Sequence, residues 1–288
     1  MTFPKVSIIT IVYNDKAHIL ETMDSVITQD YPYIEYIIID GASHDGSKEC
    51  IESYITNLAH ITHKDEARFY LEATHRQKNV HFKFLSQKDS GIYDAMNKGI
   101  ELASGEWCNF MNSGDRFYNT HTITELFTQF IESYGGGDSD VIYGDTHIIY
   151  DNIHSKILHA QDTSHKYHHR FIHQSAFIAT PLMRRYKYDT AFKIAGDTDF
   201  FTKAYNNGAK FTYLPIIISS FTCEGISSKP SWQVFKEDCA IGYKYNRLFP
   251  IFHTFKYLFY VIPRFIIRSL IPHKFRNRAR IYLSKTHS

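Results

Sequence analysis

The sequence predicts an α/β protein, a largely parallel sheet flanked by helices, followed by a helical C-terminal extension. Residues 6–12 (VSIITIV) and 34–39 (IEYIII) are almost wholly apolar and rich in β-branched side chains. Strands buried on both faces read this way. A helical pattern separates them, with Ile19, Leu20, Met23, Val26 and Ile27 on one face. Strand and helix then keep alternating at a spacing that suits right-handed crossovers between parallel strands.

In chain order, Tyr13-Asn14-Asp15 ends the first strand, and Asp30-Tyr31-Pro32 closes the first helix. The second strand ends at Asp40-Gly41, and a helix runs from about Ser47 to Ala59. Residues 61–79 are charged, aromatic and poorly periodic, and read as an insertion lengthening that helix. Residues 81–85 form the third strand. Asp89-Ser90-Gly91 opens a helix with Ile92, Met96, Ile100 and Ala103 inward, stopped by Gly105. Residues 107–111 form a short buried strand that breaks into Asn112-Ser113-Gly114-Asp115, a turn of small and oxygen-bearing side chains. An amphipathic helix over 122–134 follows, then Gly135-Gly136-Gly137. Residues 141–143, 146–150, 155–158 and 176–179 read as strands of a second, mixed sheet. Asp197-Thr198-Asp199 opens a helix that Asn207-Gly208 terminates, with late strands at 210–213 and 216–221.

The bulk numbers allow one large domain with an extension: 288 residues, 43% of them apolar, and a net charge of only +2. That charge argues for no particular partner. Cys50, Cys108, Cys223 and Cys239 are scattered without a CxxC pair, as in a reducing compartment. Met1-Thr2-Phe3-Pro4-Lys5 leads straight into a strand, so no signal peptide is expected, and no run is long and apolar enough to span a membrane. A cytoplasmic protein is the expectation.

Three strand ends are expected to converge on one crevice: Tyr13-Asn14, Asp40 and Asp115. Open α/β sheets bind ligands at such a point. Neither G-x-G-x-x-G nor G-x-x-x-x-G-K-[ST] occurs, which disfavours a dinucleotide fold or a P-loop. A phosphate held through a metal is the better reading, with Asp115 as a hard oxygen ligand. Taken alone, Asp115 also fits an ordinary solvated turn.

VSIITIVYN, YIIIDGASHDGS, DSGIYDAMNKGI followed by ASGEW, and FMNSGDRF together resemble family 2 glycosyltransferases of the GT-A fold. The resemblance spans roughly residues 4–228, continuing through HQSAF, KIAGDTDFF and EGISS, and is nearest to bacterial enzymes of surface-polysaccharide synthesis. It implies a GT-A domain over 1–230, a Rossmann-like mixed sheet flanked by helices, with 231–288 as the extension. By position in the motifs, Thr10, Tyr13 and Asn14 would hold the nucleotide, partly through backbone, and Asp40 would read the base. Asp89, Gly91 and Asp94 would lie beside ribose and phosphates, although Asp94 also suits a helix first turn. Asn112-Ser113-Gly114-Asp115 occupies the DXD position, with Asn112 and Gly114 where acids are common. Asp115 would bind Mg²⁺ or Mn²⁺, flanked by Ser113 and Gly114. Asp197 stands at the position of the catalytic base, and an N-cap role suits it too. Asp199 is the backup. His173 and Gln174 fall on the acceptor or diphosphate side. Glu224 stands in the EGISS loop where glycine is common.

The implied activity is inverting transfer of a hexosyl or N-acetylhexosaminyl group from a nucleotide-diphosphate sugar to a glycan acceptor, expected to be lipid-linked. Two other readings stay open: a nucleotide-sugar binder without transfer, and a nucleotidyltransferase. His165, His169 and His173 recur at four-residue steps, which on a helix would align zinc ligands, though no Cys or acidic residue joins them. Residues 255–271 mix large apolar side chains with Lys256, Arg264 and Arg268, as an interfacial helix on a membrane surface does. Packing against protein is the other reading of this tail. No nucleic-acid motif accompanies its charge.

Overall fold

A computed structural model describes residues 2–151, 153–162, 164–222 and 231–271. The EGISS loop, the basic residues after 271 and Cys223 lie outside the described residues.

The elements run β1 (Val6–Val12), α1 (Ile19–Ile27), β2 (Ile34–Asp40), α2 (Ser47–Leu58), β3 (Ala59–Asp65), β4 (Tyr70–His75), β5 (Val80–Ser86) and α3 (Ile92–Leu102). Then come β6 (Trp107–Phe110), β7 (Arg116–Phe117), α4 (Thr122–Tyr134), β8 (Val141–Ile149), β9 (Ser155–Leu158), β10 (Ala176–Ala179), α5 (Thr180–Tyr186), α6 (Gly196–Asn206) and β11 (Phe211–Thr222). The C-terminal helices are α7 (Trp232–Tyr245), α8 (Phe249–Lys256) and α9 (Ile262–Leu270), the last two joined by a π-helical turn at Tyr257–Val261.

All strands belong to one sheet, ordered β3-β4-β5-β2-β1-β6-β10-β8-β11-β7, with β9 paired to β8. The centre, β5-β2-β1-β6, is parallel. β10 runs antiparallel between β6 and β8. The strands expected in a second sheet therefore continue the first. β10 is the bridge, and its four residues are too few to announce that from sequence. This is the GT-A architecture that the resemblance implied.

Every residue of β1 and β2 is buried. Side chains alternate between two cores. Ile8, Tyr36 and Ile38 pack with Met23, Ile51 and Phe127 on the face of α1, α2 and α4. Ile9, Ile37 and Ile39 pack with Met96, Met183 and Phe201 on the face of α3, α5 and α6. Each fully buried aliphatic side chain contributes about 2 kcal/mol, so these strands are the rigid base from which the site loops project.

Residues 61–79 are not a lengthened helix. They form most of the antiparallel hairpin β3–β4, which extends the sheet beyond β5. Leu71 and Ala73 are buried while their neighbours along β4 are not, a period of two. β3 is the edge strand and shows His60, Thr62, His63 and Lys64 to solvent. Edge strands are blunted by such residues, which hides them from an apolar-run search.

Candidate active site

The C-terminal ends of β1, β2, β5 and β6 are tied together by side chains. Asn14 follows β1 in the left-handed region (φ 49°), a conformation that Asn tolerates better than most residues. Its N–H donates to Ser43 Oγ (2.8 Å) and its Oδ1 accepts from the His44 N–H (2.8 Å), locking the β1 loop to the β2 loop. Tyr13 beside it is 63% exposed, an open aromatic face in the crevice. Gly41 sits in the narrowest place: a Cβ there would lie 2.6 Å from Asp89 Oδ2 and 3.1 Å from the Tyr13 ring. Tyr13, Gly41 and Asp89 thus form one continuous wall.

Asp40 lies at that wall with no exposed surface. Its carboxylate accepts from Ser86 Oγ (2.6 Å) and the Ser43 N–H (3.2 Å), so it caps the turn and joins β2 to β5. Burial raises the Asp89 carboxyl above its ordinary range, and its Oδ1 accepts the Gly91 N–H (3.0 Å). Gly91 has φ 134°, where a side chain would be strained. Two expected nucleotide residues are engaged within the protein. Thr10 is fully buried and donates to the Met111 carbonyl (2.7 Å), since the middle of β1 faces the core. Asp94 accepts from the Ser90 N–H (2.9 Å), the first-turn helix role open to it from sequence.

The turn after β6 is pinned by α1. Thr22 donates to the Asp115 carbonyl (2.7 Å) and accepts from the Gly114 N–H (2.9 Å), with Gly114 at φ 90°. Ser113 Oγ donates to Asp15 Oδ2 (2.7 Å), whose other oxygen is 2.6 Å from His18 Nδ1. The Asp115 carboxylate accepts from Gln174 Nε2 (2.7 Å). Burial pushes that carboxyl up to about 7. The Gln174 hydrogen bond works against the rise and the Asp15 charge adds to it. The buried Asn112 Oδ1 has no hydrogen-bond partner among the described residues. A desolvated carboxylate in the same turn as an orphaned amide oxygen fits a hard cation that needs one or two protein oxygens and takes the rest from phosphate and water. Among the described residues no group of three or more His, Cys, Asp or Glu could hold a metal by itself.

Asp197 is the second residue of α6. Its Oδ1 accepts the Thr198 N–H (2.8 Å), with the Tyr93 hydroxyl at 3.5 Å. Its Oδ2 lies 3.8 Å from His169 Nε2. Burial lowers His169 to about 3, so the ring is neutral and the contact is not an ion pair. Asp199 turns away: it is buried and paired with Lys244 of α7 (2.6 Å). The two acids of this helix therefore have different surroundings, and only Asp197 stays half-exposed.

His173 does not enter the crevice. It is buried, its Nε2 is 2.8 Å from the Tyr188 hydroxyl, and its ring packs on Phe110. Tyr188 packs in turn on Tyr93 (5.5 Å), so the segment that offers Gln174 to Asp115 is supported by the same aromatic layer that backs Asp197. The zinc alignment does not form, because residues 165–172 are irregular rather than helical. His165, His169 and His173 instead pack among Tyr143, Phe171 and Phe201. Burial holds them down at about 4, 3 and 4. Sequence reasoning did not single out Asp15, His18, Thr22 or Tyr93. Asp15, Thr22 and Tyr93 act through partners distant in the chain, and His18 through Asp15; only the tyrosine's place inside DSGIYDAMNKG hinted at a role.

The model of the family described as "Glycosyl transferase family 2" matches residues 7–206. Among curated proteins, the chain is similar to the "PGL/p-HBAD biosynthesis glycosyltransferase Rv2957" of Mycobacterium tuberculosis (strain ATCC 25618 / H37Rv). The two are 27% identical over 226 residues, covering 77% of this chain and 78% of that protein. It is also 32% identical over 114 residues to the "Putative teichuronic acid biosynthesis glycosyltransferase TuaG" of Bacillus subtilis (strain 168), covering 40% of this chain and 37% of the other. Among solved structures, S. aureus TarS 1-349 in complex with UDP-GlcNAc matches with a TM-score of 0.57 at 20% identity, over 82% of this chain and 66% of that one. Against another TarS crystal structure this chain spans only 39% of the length. The mannosyltransferase PcManGT from Pyrobaculum calidifontis, in complex with GDP-Man and Mn²⁺, matches with a TM-score of 0.56 at 16% identity, over 78% and 59% of the two chains. At such identities the structural likeness speaks for the fold alone.

Proposed function

Because the chain belongs to glycosyl transferase family 2, we propose that it transfers one hexosyl or N-acetylhexosaminyl group, with inversion, from a nucleotide-diphosphate sugar to a glycan acceptor. The observation that carries this is the pair of differently treated carboxylates. Asp115 is desolvated and held by Gln174. Asp197 is half-exposed, with no hydrogen bond reaching its Oδ2 among the described residues. In this reading an acceptor hydroxyl oxygen attacks the anomeric carbon, the bond from that carbon to the diphosphate breaks, and the hydroxyl proton passes to Asp197. The nucleoside diphosphate leaves with the electron pair. Tyr13, Gly41 and Asp89 would line the nucleotide, with Asp40 behind them. Asp115, with Asn112, would hold Mg²⁺ or Mn²⁺. Such an ion supplies neutralisation of charge on the departing diphosphate. Relatives named for PGL/p-HBAD and for teichuronic acid biosynthesis support a glycan acceptor in polysaccharide synthesis, here taken to be carried on a lipid.

The test is a panel of UDP-, GDP- and dTDP-sugars, each with and without Mn²⁺. It is read first by thermal shift and then by release of nucleoside diphosphate with glycan acceptors. One donor is expected to shift the melting temperature in a metal-dependent way and to release diphosphate only with acceptor. Binding of a donor without release by any acceptor would favour the binder reading. Release of pyrophosphate from a nucleoside triphosphate would favour a nucleotidyltransferase.

A lipid-linked acceptor also accounts for the outer face of α8 and α9. Phe252, Phe255, Phe259, Phe265, Ile267 and Leu270 are exposed there, beside Lys256 and Arg264. Among the described residues no helix is long and apolar enough to cross a membrane. An apolar face fringed with cations instead suits the headgroup boundary of anionic lipids. Co-sedimentation with vesicles containing phosphatidylglycerol is expected, weakened by Phe255→Ser with Phe259→Ser and by raised salt. A dimer in solution, with no vesicle binding, would assign this face to a second copy of the chain.

A further inference from the structure

Glu237 on α7 lies beyond the stretch matched by the family model, which ends at residue 206. It is 5% exposed, yet it is bound to the segment carrying Asp197. Its carboxylate accepts three consecutive backbone N–H groups, those of Lys193 (2.9 Å), Ile194 (3.0 Å) and Ala195 (2.8 Å). Gln233 Nε2, one turn earlier on α7, donates to it as well (2.6 Å). Burial by itself would raise this carboxyl, but the hydrogen bonds win and hold it below its ordinary range.

Those three residues lead directly into α6. Ala195 is its N-cap and has no side-chain oxygen with which to cap it. Glu237 supplies a negative group at the helix start from another element, where the helix dipole favours one. The opposite side of the turn is also held. The Tyr93 hydroxyl donates to the Ile194 carbonyl (2.6 Å), and a Cβ on Gly196 would meet the Tyr93 ring at 2.7 Å. The backbone immediately before Asp197 is thus clamped between α3 and α7. A second attachment follows it: Lys244 of α7 pairs with Asp199 and lies over the Phe192 ring (5.1 Å).

We propose that Glu237 is a positioning residue for the base: it fixes the 193–195 turn and, through it, the direction in which the Asp197 carboxylate meets an acceptor hydroxyl. This rests on the reading of Asp197 as the base. α7 is then part of the catalytic apparatus rather than an appendage. A local cap at residue 195 would stabilise the helix equally well. A cap carried by α7 also couples the base to the helices that present the apolar face of α8 and α9.

The experiment uses the full chain with the donor and acceptor found in the panel. Glu237→Gln, close to isosteric, is expected to lower kcat ten- to a hundredfold. Small misplacements of reacting groups cost this much. The donor KM and nucleoside-diphosphate affinity should change less than about twofold, since the donor wall stands on other strand ends. Gln233→Leu, at an exposed position, removes one hydrogen bond to Glu237 and is expected to lower kcat about threefold, with folding checked by melting temperature. In an Asp197→Asn background, Glu237→Gln should leave the residual rate unchanged, because a residue acting only through the base has nothing left to position. Unchanged kcat in both single variants, or a full additional loss in the Asp197→Asn background, would overturn the assignment. Absence of transfer by the wild-type chain would instead overturn the functional reading beneath it.

Discussion

Asp197→Asn is expected to bind donor as the wild type does and to lose about a thousandfold in kcat, within the range by which a general base accelerates such a step. The substitution is nearly isosteric. Its Oδ1 still accepts the Thr198 N–H (2.8 Å in the wild type), so the first turn of α6 keeps its local hydrogen bond. Its amide replaces a carboxylate oxygen that lies 3.8 Å from the neutral His169 ring, so no ion pair is broken there. What disappears is the capacity to take a proton. Single-turnover release of nucleoside diphosphate would measure the loss, with a donor titration confirming that binding survives. Near-normal turnover in a folded variant would reduce Asp197 to a structural first-turn acid. Asp199 offers no substitute, because Lys244 already occupies it.

Asp115→Asn is expected to remove the metal dependence of donor binding and to lower kcat/KM by a hundredfold or more, roughly 3 kcal/mol of transition-state stabilisation. The amide can still accept from Gln174, whose Nε2 lies 2.7 Å from the wild-type carboxylate. The turn also keeps its Thr22 anchors on the backbone of residues 114 and 115. A folded protein lacking only the charge is therefore the expected product. In the wild type a chelator should abolish turnover and Mn²⁺ should restore it. In the variant neither should matter. Chelator-insensitive turnover in the wild type, with the variant nearly as active, would leave the diphosphate to be neutralised by side chains alone.

Much of the fold could be read because its centre follows a simple rule. β1 and β2 are buried on both faces, so their sequences are nearly continuous apolar runs, broken only by the buried Ser7 and Thr10 of β1 and by Glu35 and the terminal Asp40 of β2. The hairpin β3–β4 escaped because an edge strand must look like a loop: it keeps charges outward and buries only Ala59 of β3 and Leu71 and Ala73 of β4. The continuation of the sheet through β10 escaped for another reason. Four residues carry too little pattern to declare which neighbours they pair with.

The site divides along a similar line. Tyr13, Asn14, Asp40, Asp89, Asp115 and Asp197 stand at strand or helix ends in motifs that local sequence contains. Local sequence thus placed these residues at the ends of their elements. The setting of several of them was decided by partners far along the chain. Gln174, 59 residues away, holds Asp115, and Glu237, 42 residues from Ala195, holds the turn before Asp197. Thr10 looked equally suited to a ligand and is buried against Met111, which lies 101 residues on. Strand and helix ends follow from short-range backbone preferences, which a sequence displays directly. The direction of a carboxylate follows from which distant donor meets it, and that exists only once the chain has closed.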